Sequence, residues 1–289
     1  MFAPVLAAAL AFTPSEARIA FETASNLVER CTPRDAGTFG GRRAAEFILD
    51  AASAVGADAR LDRFTAATPC GLRTFANVEC SFVSNPTGAW TVVVSHYDTK
   101  PGTGCPGAND GASTTGLLVA LASTLRNRSS LPGNVLLVWT DGEESMKAYT
   151  DLDGFWGSRH TAEKLRKTGV PVRAVICVDM LGDRDLGISL PHNTSPELRR
   201  IALRAARGIG EERLVREVPE LVKDDHVAFQ NLGFPAIVLI DFAYGTEPGG
   251  NDLWHTPADT VDRISELSLL RSGRLLAAIM DALGDDSRF

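Results

Sequence analysis

No run of eighteen apolar residues occurs in the 289-residue chain, so the sequence offers no membrane-spanning helix. Cysteine is sparse: Cys31, Cys70, Cys80, Cys105 and Cys177, with no C-x-x-C pair among them. That spacing leaves out a thiolate zinc knuckle and a thioredoxin-type motif. The odd count leaves at least one thiol unpaired in a monomer. Cys80 and Cys177 lie in apolar, strand-like runs and are expected as buried thiols. Cys70 and Cys105 lie in loops, where an oxidising compartment would allow them to pair. A basic excess is missing too. There are 29 basic against 36 acidic residues, a formal net charge of −7, which speaks against a nucleic-acid binder. Internal repeats, low-complexity tracts and a dividing linker are also lacking, so residues 1–289 are expected as one catalytic-size domain.

What is present is ordinary for a globular chain: 44% hydrophobic and 22% charged residues. At this length folding removes roughly 75% of the unfolded chain's surface from water. A metal site here is therefore expected to serve chemistry rather than to hold the fold together. Residues Met1 to Phe12 form an apolar stretch rich in Ala and Leu, like the middle of an export signal without a basic leader. Two readings stand: an ordered N-terminal segment, or the remnant of an export signal. The second favours a periplasmic or secreted location over a cytoplasmic one.

Helix signals are clear. Thr13-Pro14-Ser15-Glu16 reads as a cap, a first-turn proline and a capping-box Glu, starting a helix to about Arg30. Helical periodicity follows over Arg42–Val55, Arg159–Lys167, Ser195–Arg207 and Leu267–Leu283. Ser113–Leu125 is apolar nearly all round, which predicts a buried helix. Between these lie short apolar runs of strand length: Phe75–Phe82, Thr91–Ser95, Val135–Thr140, Ala174–Asp179 and Ala236–Ile240. Continuous apolar strands alternating with helices predict an α/β fold: a single three-layer domain with a mainly parallel, twisted central sheet flanked by helices. Ligands of such sheets bind beyond the carboxyl ends of the strands.

Those ends carry the chemistry. Thr91–Ser95 runs into His96-Tyr97-Asp98, and Val135–Thr140 into Asp141-Gly142-Glu143-Glu144. Ala174–Val178 ends on Asp179, and Ala236–Ile240 on Asp241, followed by a Gly-rich loop and Trp254-His255. Singly, each has an ordinary explanation, such as a solvated turn, a helix cap or a hydrogen-bonded histidine. Together, several carboxylates at one rim repel each other, and buried charges are costly unless paired or bound to a cation. Carboxylate plus imidazole without thiolate suits zinc at a catalytic site. Asp110, set among Gly107, Ala108, Gly111 and Ala112, adds a carboxylate where small neighbours allow close backbone approach.

The set His96-x-Asp98, Gly107–Ser113, Asp141–Glu144, Asp179 and His255 resembles the co-catalytic zinc aminopeptidase family, which includes the animal-type glutaminyl cyclases. The likeness runs from about Glu29 to the last helix. Several stretches are closer to the cyclases: Asp62–Phe64, Thr68–Gly71, Arg73–Asn77, His96–Lys100, Gly157–His160, the acid pair Asp224-Asp225 before His226, and Trp254–Thr256. Asn109–Ser113 is closer to the aminopeptidases. Lys223 stands where cyclases often have Gln, and Tyr149 near their pocket Trp.

The resemblance implies that Asp110, Glu144 and His255 bind a catalytic zinc. His96 and Asp179 would complete a second zinc site, bridged by Asp110, in an aminopeptidase; a cyclase holds one zinc. Glu143 would be the general acid/base, with Asp179 and Asp224 stabilising developing charge. Trp254, Tyr149 and Phe242 would wall the substrate pocket. His160 and His192 are not expected as ligands, and His226 is expected to be structural. The substrates implied are peptide or protein N-termini. The favoured reaction is conversion of N-terminal Gln to pyroglutamate with loss of ammonia, the alternative hydrolytic removal of the first residue. A binding protein that kept the fold and lost catalysis would lack a ligand or the base, and none is missing.

Overall fold

A computed structural model describes residues 11–150 and 152–284. Seven helices and eight strands alternate along it. The helices are α1 (Pro14–Cys31), α2 (Phe39–Ala54), α3 (Thr114–Arg126), α4 (Trp156–Thr168), α5 (Pro196–Gly208), α6 (His226–Gln230) and α7 (Glu266–Gly284). The strands are β1 (Ala59–Thr68), β2 (Gly71–Phe82), β3 (Trp90–His96), β4 (Asn134–Thr140), β5 (Val172–Asp179), β6 (Ile188–Pro191), β7 (Val215–Val218) and β8 (Ala236–Ile240). Together the strands form one sheet in the order β1-β2-β4-β3-β5-β8-β6-β7.

The central four strands, β4-β3-β5-β8, are parallel, as continuous apolar runs separated by helices require. Both edges depart from that pattern. β1 pairs antiparallel with β2, β2 with β4, and β6 with β8, so the whole sheet is mixed. Sequence periodicity misses β1, β6 and β7 for different reasons. β1 (ARLDRFTAAT) alternates half-buried and exposed side chains on an edge hairpin, without a continuous apolar run. β6 and β7 are four residues each, too short to show a period.

Alternation along the central strands splits the core into two layers. Val93, Leu137, Trp139, Ile176 and Leu239 face α1, α2, α3, α5 and α7, while Val92, Val94, Val138, Val175 and Val238 face α4 and α6. The expected capping box at Thr13 and Glu16 forms, and α1 runs from Pro14 to Cys31. α3 is buried along nearly its whole length. Its Gly116 meets α1 so closely that a Cβ there would lie 2.1 Å from the Ala20 carbonyl oxygen.

The apolar start falls mainly on residues 1–10, outside the described residues. Phe12 is described and buried, and it packs on Gly273 of α7. All five cysteines are free thiols, including Cys70 and Cys105. Cys70 is exposed in the β1–β2 turn, whereas Cys105 is buried with Sγ 3.7 Å from Asp259 Oδ2. Cys80 and Cys177 are buried, as their apolar surroundings predict. No described helix is long and apolar enough to cross a membrane.

Candidate metal centre and active site

The parallel strands all point their carboxyl ends to one side, and the side chains there converge. His96 ends β3 and Asp179 ends β5. His96 Nε2 lies 3.1 Å from Asp179 Oδ1 and 3.2 Å from Asp110 Oδ1. The other oxygen of Asp110, Oδ2, is 3.3 Å from His255 Nε2, which in turn is 2.8 Å from Glu144 Oε1. Two triads therefore share one carboxylate. In His96–Asp110–Asp179 and in Asp110–Glu144–His255 the candidate ligand atoms lie within 4.8 Å of one another. A nitrogen and two carboxylate oxygens per triad, each Asp110 oxygen serving one, fit a pair of zinc-type sites. Among the described residues five carboxylates line the cavity: Asp110, Glu143, Glu144, Asp179 and Asp224. That concentration of buried negative charge is stabilised when a cation sits among them.

The backbone is bent to make this possible. Asp110 sits in a kinked turn, Ala108–Ser113, whose Gly111 has φ +90. A Cβ on Gly111 would lie 3.0 Å from His96 Cε1, so glycine serves both the turn and the close approach. His255 itself has φ 58, a strained value for a non-glycine residue. The Trp254 ring stacks on it, centroids 3.8 Å apart.

The loop after β4 is held from below by Asp98. Its carboxylate accepts the N–H groups of Gly142 and Glu143 at Oδ1 and of Glu144 at Oδ2. The segments that looked most cyclase-like support the same loop. Asn77 accepts from the Asp141 N–H and donates to the Gly157 carbonyl. Glu144 has both oxygens engaged, Oε1 with His255 and Oε2 with the Tyr149 hydroxyl at 2.6 Å. Lys100 Nζ lies 3.6 Å from Glu144 Oε2 and 4.3 Å above the Tyr149 ring. Glu143 is different: beyond a 3.4 Å contact with the Tyr149 hydroxyl, its carboxyl faces the cavity.

These environments separate the titrations. Burial, reinforced by the Glu144 charge, raises the Glu143 carboxyl well above the usual range. Burial, with Asp179 and Asp225 nearby, does the same to Asp224. Burial also pushes Asp110 up, but hydrogen bonds from His255 and His96 outweigh it and hold Asp110 low. For His255 burial disfavours charge, yet Asp110 and Glu144 lift its pKa to about 9.

Every residue singled out at the strand ends as ligand, acid/base or pocket wall falls on this cavity, of about 360 Å³, or, for His96, directly behind it. Trp254 and Phe242 form an apolar wall, their rings edge to face at 5.1 Å. Among the described residues Asp224 Oδ2 and Asp225 Oδ1 are both buried without a hydrogen-bond partner; the other oxygen of Asp225 accepts from Thr140 Oγ1 at 2.6 Å, and only Asp224 lines the cavity. Two strand-end acids turn elsewhere. Asp141 accepts the Ala76 N–H, and Asp241 accepts those of Gly187 and Ala243. His160 stacks on Phe64, and His226 packs beside Asn193.

Sequence reasoning passed over Arg34 and Asp259, which fix the Asp110 turn from both sides. Arg34 is fully buried and donates to the carbonyls of Tyr97, Pro106 and Gly107. Asp259 accepts the N–H groups of Asn109 and Asp110 and the Tyr244 hydroxyl. Neither stands in a motif, so only the folded contacts reveal them.

The peptidase family M28 model matches residues 77–280. The chain belongs to peptidase family M28. Among its relatives, this M28 chain is 31% identical over 287 residues to the glutaminyl-peptide cyclotransferase-like protein of Mus musculus, covering 86% of this chain and 70% of that one. A crystal structure of an Acidobacteriales bacterium glutaminyl cyclase superposes with a TM-score of 0.88 at 31% identity, over 98% of this chain and 99% of that one. A leucine aminopeptidase precursor from Bacteroides thetaiotaomicron shares the fold, with a TM-score of 0.83 at 19% identity over 96% and 99%. The family membership and the glutaminyl cyclase relatives make this chain an enzyme of the cyclase-like M28 type.

Proposed function

We propose that this chain is a zinc-dependent glutaminyl-peptide cyclotransferase, converting an N-terminal Gln to pyroglutamate with release of ammonia. The observation that carries the reading is Asp224: a buried carboxylate with one oxygen unpartnered, beside Glu143 in the same cavity. A lone acceptor there suits the amide N–H₂ of a Gln side chain, whose nitrogen must depart. Trp254 and Phe242 supply an apolar wall for the methylenes of that side chain.

Asp110, Glu144 and His255 are the residues to hold the catalytic zinc, whose Lewis acidity would polarise the γ-carbonyl oxygen. Glu143 takes a proton from the α-amine as that nitrogen attacks the side-chain carboxamide carbon, Cδ, and returns it to the amide nitrogen as the Cδ–Nε bond breaks and ammonia leaves. Its raised pKa suits a group that must both accept and give a proton. Asp179 and Asp224 accept hydrogen bonds from the reacting nitrogens.

A second reading has its own support. The His96–Asp110–Asp179 triad has room for a second cation, which suits a two-zinc aminopeptidase. There Glu143 would take its proton from water instead. Asp224→Ser separates the two. Bonds from Asp224 to the leaving amide matter most in the transition state, so cyclisation should lose turnover more than substrate binding. In a two-zinc aminopeptidase the same substitution should change hydrolysis of Leu-initiated peptides little. Near-normal ammonia release from Gln-initiated peptides by Asp224→Ser would count against the cyclase.

A further inference from the structure

The catalytic cavity does not end at its apolar rim. Val222 and Phe242 belong both to it and to a neighbouring pocket of about 420 Å³. Ser189, Arg216, Val218 and Glu220 also line that second pocket. Its walls come from β6, from β7 and the segment after it, and from the loop after β8; β6 and β8 are paired at a single position, Ser189 with Ile240 at the end of β8. Phe242, 39% exposed, stands at the junction of the two spaces.

Arg216 is the chemical feature of the second pocket. It lies on β7 opposite Ser189 of β6, a position fixed by strand pairing. Its guanidinium forms no hydrogen bond or ion pair among the described residues. The nearby Asp241 feels its charge, but the Asp241 oxygens are already taken by backbone N–H groups. Glu220 shares the pocket and is not paired with it. Arg216 is thus a strand-mounted cation with a free planar fork, the group that grips a carboxylate by two parallel hydrogen bonds.

We propose that this pocket receives the peptide downstream of the residue in the catalytic cavity, and that Arg216 selects an acidic side chain there. The inference rests on the peptide-N-terminus reading of the cavity. A peptide leaving past Val222 and Phe242 enters the second pocket directly. An extended chain advances about 3.3 Å per residue, so the contact falls within the first few positions.

The experiment uses Gln-initiated peptides with Glu at position 2, 3 or 4, each matched by a peptide with Gln or Lys at that position. Dissociation constants are measured by calorimetry on the zinc-loaded Glu143→Gln chain, and kcat/KM on the Glu143 enzyme. At one position Glu should improve binding by about three- to five-fold, the scale of a solvent-accessible ion pair. The gain should appear in KM rather than kcat, fade as salt is raised, and vanish in Arg216→Gln. Peptides without an acid should react equally with both forms. No preference at any position, one that survives Arg216→Gln, or a preference for Lys would overturn the assignment. The binding arm reads the pocket whichever products form, so a peptide that loses its first residue instead of ammonia would overturn the cyclase reading alone.

Discussion

Glu143 and Glu144 are sequence neighbours with different surroundings. Glu144 has both oxygens committed, to His255 and to the Tyr149 hydroxyl, whereas Glu143 presents its carboxyl to the cavity. The first arrangement suits a ligand and the second a proton carrier. Glu143→Gln keeps the shape and removes the proton, so the rate should fall at least ~10²-fold, the scale of general acid–base catalysis. Zinc content by elemental analysis should match the unmutated chain. Activity that survives would exchange the roles of the two residues. His255→Ala removes the only imidazole of its triad, so metal content and activity should fall together. A fully metallated, active His255→Ala protein would remove it from the ligand set. His96 and Asp179 were legible because each ends a strand, Glu144 because it follows β4 by four residues, and Asp110 because it sits among glycines and alanines. Arg34 and Asp259 were not, since backbone carbonyls and N–H groups are their partners and any sequence supplies those.

The short helix α6 carries a pH dependence. His226, its first residue, is buried, with Nε2 3.3 Å from Asn193 Nδ2. Burial depresses its pKa from 6.5 to about 4. A depressed histidine contributes stability that is present above pH 6.5 and is lost as pH falls through 4. The full contribution is at most about 3.5 kcal/mol, since each pKa unit is worth about 1.4 kcal/mol. His226→Gln should therefore flatten the stability profile between pH 6.5 and 4, read by urea unfolding at several pH values. An unchanged acid slope would show that His226 titrates normally. At this scale the sequence was most readable where burial is continuous. α3 and the four central strands announce themselves by unbroken apolar runs, and α1 by its capping box. β1 was hidden because an edge hairpin with Arg, Asp and Thr carries no such run, and β6 and β7 because four residues hold no period. With them went the second pocket, which is lined by β6, β7 and the loop after β8.

The described residues bury two apolar layers on one mixed sheet, and the proposed metal ligands gather outside both, at the strand ends. Removing zinc should therefore leave a folded protein. A chelator should lower the melting temperature by about 5 °C, the order set by a ligand at a hundred times its dissociation constant acting on a chain of this size. Loss of cooperative melting after chelation would mean that the metal holds the fold. The parallel centre also explains why the chemistry is readable in the sequence: parallel strands deliver the residues at and just after their ends to one edge, which gathers His96, Glu143, Glu144 and Asp179. What position does not give is the reaction, because the same ligands and base serve cyclisation and hydrolysis. The direct measurement is the mass of the product when the zinc-loaded protein meets matched Gln- and Leu-initiated peptides. Cyclisation predicts that the Gln peptide loses the mass of one ammonia while the Leu peptide stays intact. Release of free leucine, with the Gln peptide uncyclised, would contradict it.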